Sequence, residues 1–269
     1  MQPEEVLELM RSAPERYDTV RAALRYRGDG PTIKAVRERF LGSEAARRTF
    51  GDRPEDSEPI QHAEPDGPFG WRVRVWWADQ HRWRQELDLP GGGVEIKAST
   101  GRMRLRGTPE GPPGTSELWE RRVGGASHLE DPGWLMGTDI FWTMYPFDPA
   151  DIAGVDSTLG QLDLVVEGPV TWAGREALRL RGAPVEEWEG PPEPLWWGAD
   201  EYEAVVDAER GVLLRTASRL RGKDFDALEV EKIRFDGHFG QDVFDSREPL
   251  PWRQQVTSPI GELPRTPSA

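Results

Sequence analysis

Cysteine is absent from the 269-residue sequence. Its absence excludes disulfide bonds, thiol catalysis, thiolate metal sites and an anchor on a lipidated cysteine. Histidine is also scarce, and none of the four histidines (His62, His81, His128, His238) forms an HxxxH or HxH pair. Because a transition-metal site needs ligands at such spacings, we expect no metal site.

The sequence has no window of eighteen consecutive apolar residues, so we expect no membrane-spanning helix. The first residues, MQPEEVLELMRSAPERYD, lack the basic region followed by an apolar region that defines a signal peptide. We therefore expect a cytoplasmic protein as the sequence is written, and an exported one if a leader has been removed.

Positive charge is in short supply, with a net charge of −14 and a pI near 4.9. A chain of this charge repels the phosphate backbone, so nucleic acid is not an expected partner. Apolar residues make up 36% of the chain and mean hydropathy is −0.67. The twelve tryptophans and nine phenylalanines still supply enough apolar area for a core.

Catalytic patterns are missing as well. Ser127 and His128 lie in no GxSxG turn, and the adjacent Glu186 and Glu187 would point to opposite faces of a strand. The glycine triplet at 91–93 is followed by neither the lysine nor the helix of a phosphate loop. We therefore predict no catalytic residues, no cofactor and no enzymatic activity, with an uncharacterised enzyme as a weak alternative.

Turn residues are abundant, with 29 glycines and 24 prolines, and they favour many short strands. The stretch YEAVVDAERGVLLR at 202–215 has two apolar runs around a loop that ends in glycine, which predicts a β-hairpin. WRVRVWW at 71–77 and HRWRQELDL at 81–89 alternate apolar and charged residues. With VEIKA, a turn at 101–102 and MRLR, they predict four strands with one apolar and one arginine-rich face.

Further runs predict more strands, namely SELWERRV, QLDLVVEG, PVTWAGREALRLRG, DEYEAVVDA, GVLLRTASRLRG and DALEVEKIRFDG. Before them, we predict helices at 3–12, from Pro14 to about Tyr26 and from Thr32 to Phe50. The apolar stretch at 133–149 suits a short buried helix or a strand equally well.

The predicted elements form one domain of the α+β class. A helical segment at 1–50 packs on a sheet at 71–248, with a loop at 51–70 between them and a flexible tail at 249–269. An antiparallel sheet of about 9–11 strands tends to curl. We therefore expect a half-open barrel wrapped over the N-terminal helices.

This organisation resembles the lipoprotein-carrier superfamily, which includes LolA-type carriers, RseB/MucB-type regulators and LppX/LprG lipoproteins. The matching stretches are WRVRVWW with RWRQELDLPGG at 71–93, GREALRLRG at 174–182, and the hairpins at 202–236. The resemblance spans about 71–245 and implies a half-open barrel around helices and a helical plug. It also implies an apolar cavity that holds acyl chains, or a sensor domain. As the sequence is written, we expect the chain to depart from the family in lacking an export signal and a lipobox cysteine.

Parity on the strands suggests which side chains would line such a cavity. Large rigid rings can line an apolar pocket without collapsing into it, although ordinary core packing is the alternative for each of them. The candidates are Trp71, Val73, Val75, Trp83, Leu87 and Met103.

The opposite parity carries arginines, and residues 71–106 hold eight cationic against four acidic side chains. They are either cross-strand ion pairs with Glu86, Asp88 and Glu95, or a docking patch for anionic lipid head groups at a membrane surface or for an acidic partner. The candidates are Arg72, Arg74, Arg82, Arg84, Arg102 and Arg104.

The sequence thus predicts a non-enzymatic protein that holds a hydrophobic or lipid-like ligand, such as an acyl chain, between a curved sheet and helices. The alternative is a sensor or regulatory domain whose cavity is filled by its own side chains and whose outer face binds a protein.

Overall fold

The structure is a computed structural model that describes residues 1–41, 66–79, 82–89, 93–103, 116–123, 159–184 and 198–250. The helices of this part are α1 (Pro3–Arg11), α2 (Gly30–Leu41) and α3 (Asp242–Asp245), with 3-10 turns at Ala13–Glu15 and Leu159–Gln161. The strands are β1 (Val20–Asp29), β2 (Pro68–Asp79), β3 (Arg82–Asp88), β4 (Val94–Met103), β5 (Ser116–Val123), β6 (Leu162–Trp172), β7 (Arg175–Pro184), β8 (Glu201–Asp207), β9 (Leu213–Leu220) and β10 (Lys223–Phe235).

All ten strands form one antiparallel sheet in the order β5-β4-β3-β2-β1-β10-β9-β8-β7-β6. The first strand lies at the centre, where it pairs with β2 on one side and with β10 on the other. A meander from β2 to β5 extends one way, and β6 to β10 form the other half. Strands β5 and β6 are the two edges and do not pair with each other in the described part of the chain, so this sheet stays open.

The half formed by β6 to β10 curls strongly. The indole Nε1 of Trp172, at the end of β6, donates a hydrogen bond of 3.1 Å to the carbonyl of Val230 in β10. Three strands separate β6 from β10, and in a flat sheet they would lie about 19 Å apart. The curled antiparallel sheet with few helices that the sequence predicts is therefore confirmed.

The prediction of a second helix from Pro14 to about Tyr26 is wrong, because residues 20–29 form the central strand. A helical stripe would contain Val20, Ala23 and Leu24. The apolar residues also alternate at period two, however, at Val20, Ala22 and Leu24. Each of these last three is completely buried. Pairing with neighbours on both sides decides between the two periods, and those neighbours come from distant parts of the sequence.

Most of the other predicted elements are confirmed, including the helix at 3–12, the start of the helix after residue 30, and the hairpin at 202–215. The predicted turn at 101–102 is wrong, because β4 continues through it to Met103. The predicted plug region at 133–149, residues 42–65 and the chain from 251 onward lie outside the described residues. The division into a helical segment, loop, half-barrel and tail stays a prediction.

Two larger apolar clusters hold the N-terminal segment against the sheet. In the first, Tyr17 packs edge-on against Trp77 with ring centroids 5.8 Å apart, over the apolar residues of β1 and β2. In the second, Val6 of α1 and Ile33 of α2, both fully buried, pack with Leu180 of β7. Helix α1 begins at a capping box, in which the Glu5 carboxylate accepts a hydrogen bond of 2.7 Å from the Gln2 N–H.

Candidate ligand groove

A groove of about 810 Å³ lies at the end of the sheet where β1 passes into α2. It spans the end of β1, the start of β2, the start of β10 and the chain just after β3. Its lining comprises Arg25, Arg27, Gly28, Asp29, Pro68, Phe69, Gly70, Trp71, Arg72, Asp88, Leu89, Asp224, Phe225, Asp226 and Ala227.

Aromatic rings support one side of the groove. Tyr26 stacks on Trp71 across the strand pair, with centroids 4.1 Å apart and an angle of 19° between the planes. The Phe69 ring lies 5.8 Å from that of Trp71. It fits over Gly28, where an added Cβ would come within 2.5 Å of the Phe69 ring. A side chain at position 28 would therefore require the Phe69 ring to move.

Arginines supply the other side of the groove. The strand register places Arg25 directly opposite Arg72, and Arg27 opposite Gly70. These arginines lie on the opposite face of the sheet from Tyr26 and Trp71, because neighbouring side chains on a strand alternate. Arg27 binds Glu229 at 2.7 Å, and Arg72 lies 3.3 Å from Glu231. The groove therefore combines aromatic residues of one sheet face with guanidinium groups of the other.

The carboxylates that line the groove all have partners. Asp88 binds Arg74 at 2.8 Å, and Asp224 binds Arg219 at 2.8 Å as well as Arg215. Burial disfavours the charge on Asp224, but the hydrogen bond from Arg219 and the charge of Arg215 outweigh it and lower its pKa. Asp226 accepts a hydrogen bond from the Tyr26 hydroxyl, and Asp29 accepts one from Thr32.

Of the predicted cavity residues whose side chains the structure describes, Trp71 is the one that lines this groove. The side chains of Val73, Val75 and Leu87 are 2%, 0% and 7% exposed, and they belong to the packed cluster over β1 and β2. Trp83 is partly buried and packs against the same cluster. Their common face is as predicted. Met103 lies at the end of β4, and its side chain is outside what the structure describes.

The residues of the predicted arginine patch differ in exposure. Arg72 and Arg82 are exposed and have acidic partners, Glu231 and Asp79. Arg74 is mostly covered and binds Glu86 at 3.3 Å as well as Asp88. Arg102 lies in β4 with its side chain outside the description, and Arg104 lies outside the described residues.

Arg84 is wrongly placed in that exposed patch, because it is fully buried. Its guanidinium binds Glu86 at 2.7 Å, also fully buried, and donates to the carbonyl groups of Val243, Ser246 and Glu248. Desolvation lowers the pKa of Arg84, while Glu86 opposes that change. The chain from α3 to Leu250 covers this part of the sheet and packs Val243 and Phe244 on Trp76.

The sequence prediction missed Arg25 and Arg27, since it assigned them to a helix or its end. The signal was present in VRAALRYR, where Arg21, Arg25 and Arg27 share a parity opposite to Leu24 and Tyr26. Arg21 is itself buried over Trp76, and desolvation together with the nearby Arg234 lowers its pKa to about 10.

Within the described residues, no group of three or more histidine, aspartate or glutamate side chains is placed to hold a metal ion. Neither α1 nor α2, nor any other helix in the described part of the chain, has the length and apolar content that a membrane crossing needs.

No family model matches the sequence, and no curated protein matches it either. Solved structures do match. The MucA/MucB complex of Pseudomonas aeruginosa matches with a TM-score of 0.37 and 15% identity over 90% of this chain and 60% of that one. A LolA superfamily protein from Nitrosomonas europaea matches with a TM-score of 0.26 and 10% identity over 91% of this chain and 97% of that one. An uncharacterized conserved protein from Thermus thermophilus matches with a TM-score of 0.37 and 13% identity over 94% and 97%.

The structures to which the chain is similar thus include the MucB and LolA kinds that its sequence resembles. The chain spans 60–64% of the length of the MucB chains that it matches.

Proposed function

We propose that this protein is a non-enzymatic binding protein that holds an amphiphilic, lipid-like ligand in the groove at the end of β1, β2 and β10. The proposal rests mainly on the composition of the groove. The same groove presents apolar residues (Phe69, Trp71, Leu89) on one face of the sheet end and guanidinium groups (Arg25, Arg72) on the other. A ligand with both an apolar chain and a polar head matches such a lining.

The dimensions support the proposal. Ligand pockets have volumes of roughly 300–1,000 Å³, and this groove has about 810 Å³. Burying about 200 Å² of an acyl chain at about 25 cal/mol per Å² would contribute roughly 5 kcal/mol before the costs of association. Binding would be passive, since shielding the chain from water supplies the free energy.

The proposal moves the ligand away from the sequence-predicted cavity residues. Val73, Val75 and Leu87 are in contact with the protein's own side chains, among them Leu24 and Tyr17. The rings of Tyr26, Phe69 and Trp71 continue that apolar cluster to the end of the sheet and into the groove. A ligand chain would extend the cluster there instead of replacing it.

The same buried residues favour a second candidate, a regulatory domain whose core is filled by its own side chains and whose open surface binds a protein. The solved structures that match include MucB in complex with MucA. A regulatory domain of this kind would bind its partner without any lipid.

The test is ligand binding by the purified full chain. We expect lipid in an organic extract of the protein by mass spectrometry, and saturable binding of the fluorescent fatty acid 11-(dansylamino)undecanoic acid. Trp71→Ala should weaken that binding about tenfold, because the variant removes part of the groove lining. Trp83→Ala is the matched control, since Trp83 is also partly buried but lies outside the groove.

Two results would overturn the proposal. One is a protein with no extractable lipid and no saturable probe binding, which would favour the regulatory domain. The other is equal loss of binding in the Trp71 and Trp83 variants, which would place the ligand elsewhere.

A further inference from the structure

Among the residues that the structure describes, seven charged side chains line the groove, and they differ in how well they are neutralised. Six have partners within the protein. Arg27 and Arg72 bind glutamates of β10, Asp88 and Asp224 bind arginines, and Asp29 and Asp226 accept hydrogen bonds from hydroxyl groups. The seventh, Arg25, is exposed and forms no ion pair or hydrogen bond through its side chain with any residue that the structure describes.

The strand register explains why Arg25 has no acidic partner among the described residues. Its neighbour on β2 is Arg72, a like charge directly across the strand pair. Its neighbour on β10 is Glu229, whose carboxylate already binds Arg27 at 2.7 Å. Like charges opposite each other are unfavourable in a sheet. An anion placed between Arg25 and Arg72 would relieve that repulsion.

We propose that Arg25, assisted by Arg72, binds the anionic head group of the ligand in this groove. This inference rests on the proposed function and specifies its ligand as an amphiphile that ends in a carboxylate or phosphate. The planar guanidinium group donates two parallel hydrogen bonds to either oxyanion. The apolar chain would then pass around the end of the sheet toward Trp71 and Phe69, which line the same groove on the other face.

The groove as a whole favours this assignment over general attraction of anions. The protein carries a net charge of −14, so its overall field repels an anion. The attraction must therefore come from local groups within about one Debye length. Among the described charged residues that line the groove, Arg25 is the one whose charge no partner neutralises.

The experiment compares two ligands with the same eighteen-carbon chain, oleate and oleyl alcohol, by displacement of the dansyl probe at low ionic strength. We expect oleate to bind about fivefold more tightly than oleyl alcohol, as suits an exposed charge pair. Arg25→Gln should remove that difference by weakening oleate and leaving oleyl alcohol unchanged. The difference should also shrink as salt is added.

Lys232→Gln is the matched control, because Lys232 is an exposed cation on β10 outside the groove and the variant loses the same charge. It should bind oleate as the native protein does. Circular dichroism checks that both variants are folded. A second comparison uses inorganic phosphate and lysophosphatidic acid at equal concentration. Displacement of the dansyl probe by the lysolipid alone identifies a lipid head group as the ligand. Displacement by phosphate identifies a free anion.

The outcomes separate the two proposals. Equal binding of oleate and oleyl alcohol by the native protein, or equal loss of oleate binding in the Arg25 and Lys232 variants, overturns the head-group assignment and leaves the lipid-binding function in place. Displacement by inorganic phosphate as effective as by the lysolipid overturns the assignment to an amphiphile. Binding of none of the chain-bearing ligands overturns the proposed function itself.

Discussion

A buried arginine decides what the outer face of β2 and β3 can do. Arg84 and Glu86 are both fully buried, and together they hold the chain from α3 to Leu250 by its backbone. Glu86 accepts a hydrogen bond of 2.8 Å from the Leu250 N–H, while Arg84 donates to three carbonyl groups. Charged side chains here act as a backbone clamp instead of a surface for partners.

Arg84→Met should lower the free energy of unfolding by about 3–5 kcal/mol, because it removes the buried charge that binds Glu86 most closely, at 2.7 Å. Urea denaturation followed by far-UV circular dichroism measures the change. Arg82→Ala is the control, since Arg82 and Asp79 are exposed and lie 2.8 Å apart, and it should cost no more than about 1 kcal/mol. Equal costs for the two variants would contradict the clamp.

At the scale of elements, the β8–β9 hairpin shows how a local turn also fixes a distant helix. The Asp207 carboxylate accepts hydrogen bonds from the N–H groups of Glu209 at 3.0 Å and Arg210 at 2.7 Å. Gly211 then takes a φ of +73°, which side-chain-bearing residues rarely adopt. A Cβ on this glycine would meet the carbonyl oxygen of Leu9 in α1. The turn therefore packs directly against the first helix.

Gly211→Ala should be clearly more destabilising than Gly222→Ala, although both glycines have a φ of +73°. A Cβ on Gly222 has no atom within 4 Å, so this variant incurs the backbone cost alone, about 1–2 kcal/mol. Gly211→Ala adds a clash with α1 that costs about 1–3 kcal/mol more. Thermal or urea unfolding of both variants measures the difference, and equal values would show that α1 yields without cost.

For the whole molecule, the position of β1 is decisive. Val20 pairs with Phe235 and with Trp77, so the first strand joins the two halves of the sheet. Such long-range pairing closes large loops and is slow to form. The N-terminal residues are thus part of the sheet and not an attachment to it.

The central position predicts strong protection of β1 in native-state hydrogen exchange. Amides of Ala22 and Leu24 should exchange only through global unfolding, because β2 and β10 cover both edges of the strand. Amides near Val165 in the edge strand β6, whose side chain is 51% exposed, should exchange faster. Faster exchange in β1 than in β6 would contradict the strand order. Mass spectrometry of peptides from both strands measures the two rates.

The sequence by itself determined the strand faces and turns of most of the sheet. Alternation at period two predicts the apolar and arginine-rich faces of β2 and β3, and glycine with acidic residues predicts the turns, because these patterns reflect the chemistry of neighbouring residues. Of the predicted cavity residues, Trp71 lines the groove, and so does Arg72 of the predicted docking patch, while their roles stay predictions.

Only the tertiary structure decided what depends on partners far apart in sequence. It made residues 20–29 a strand, since β2 and β10 bury both of its edges. It buried Arg84 beneath a segment about 160 residues away in the chain. It also left Arg25 beside Arg72 with its neighbouring carboxylate occupied. Which strands become neighbours determines how strands pair, which side chains are buried and which charges are neutralised. The spacing of residues along one strand does not specify those neighbours.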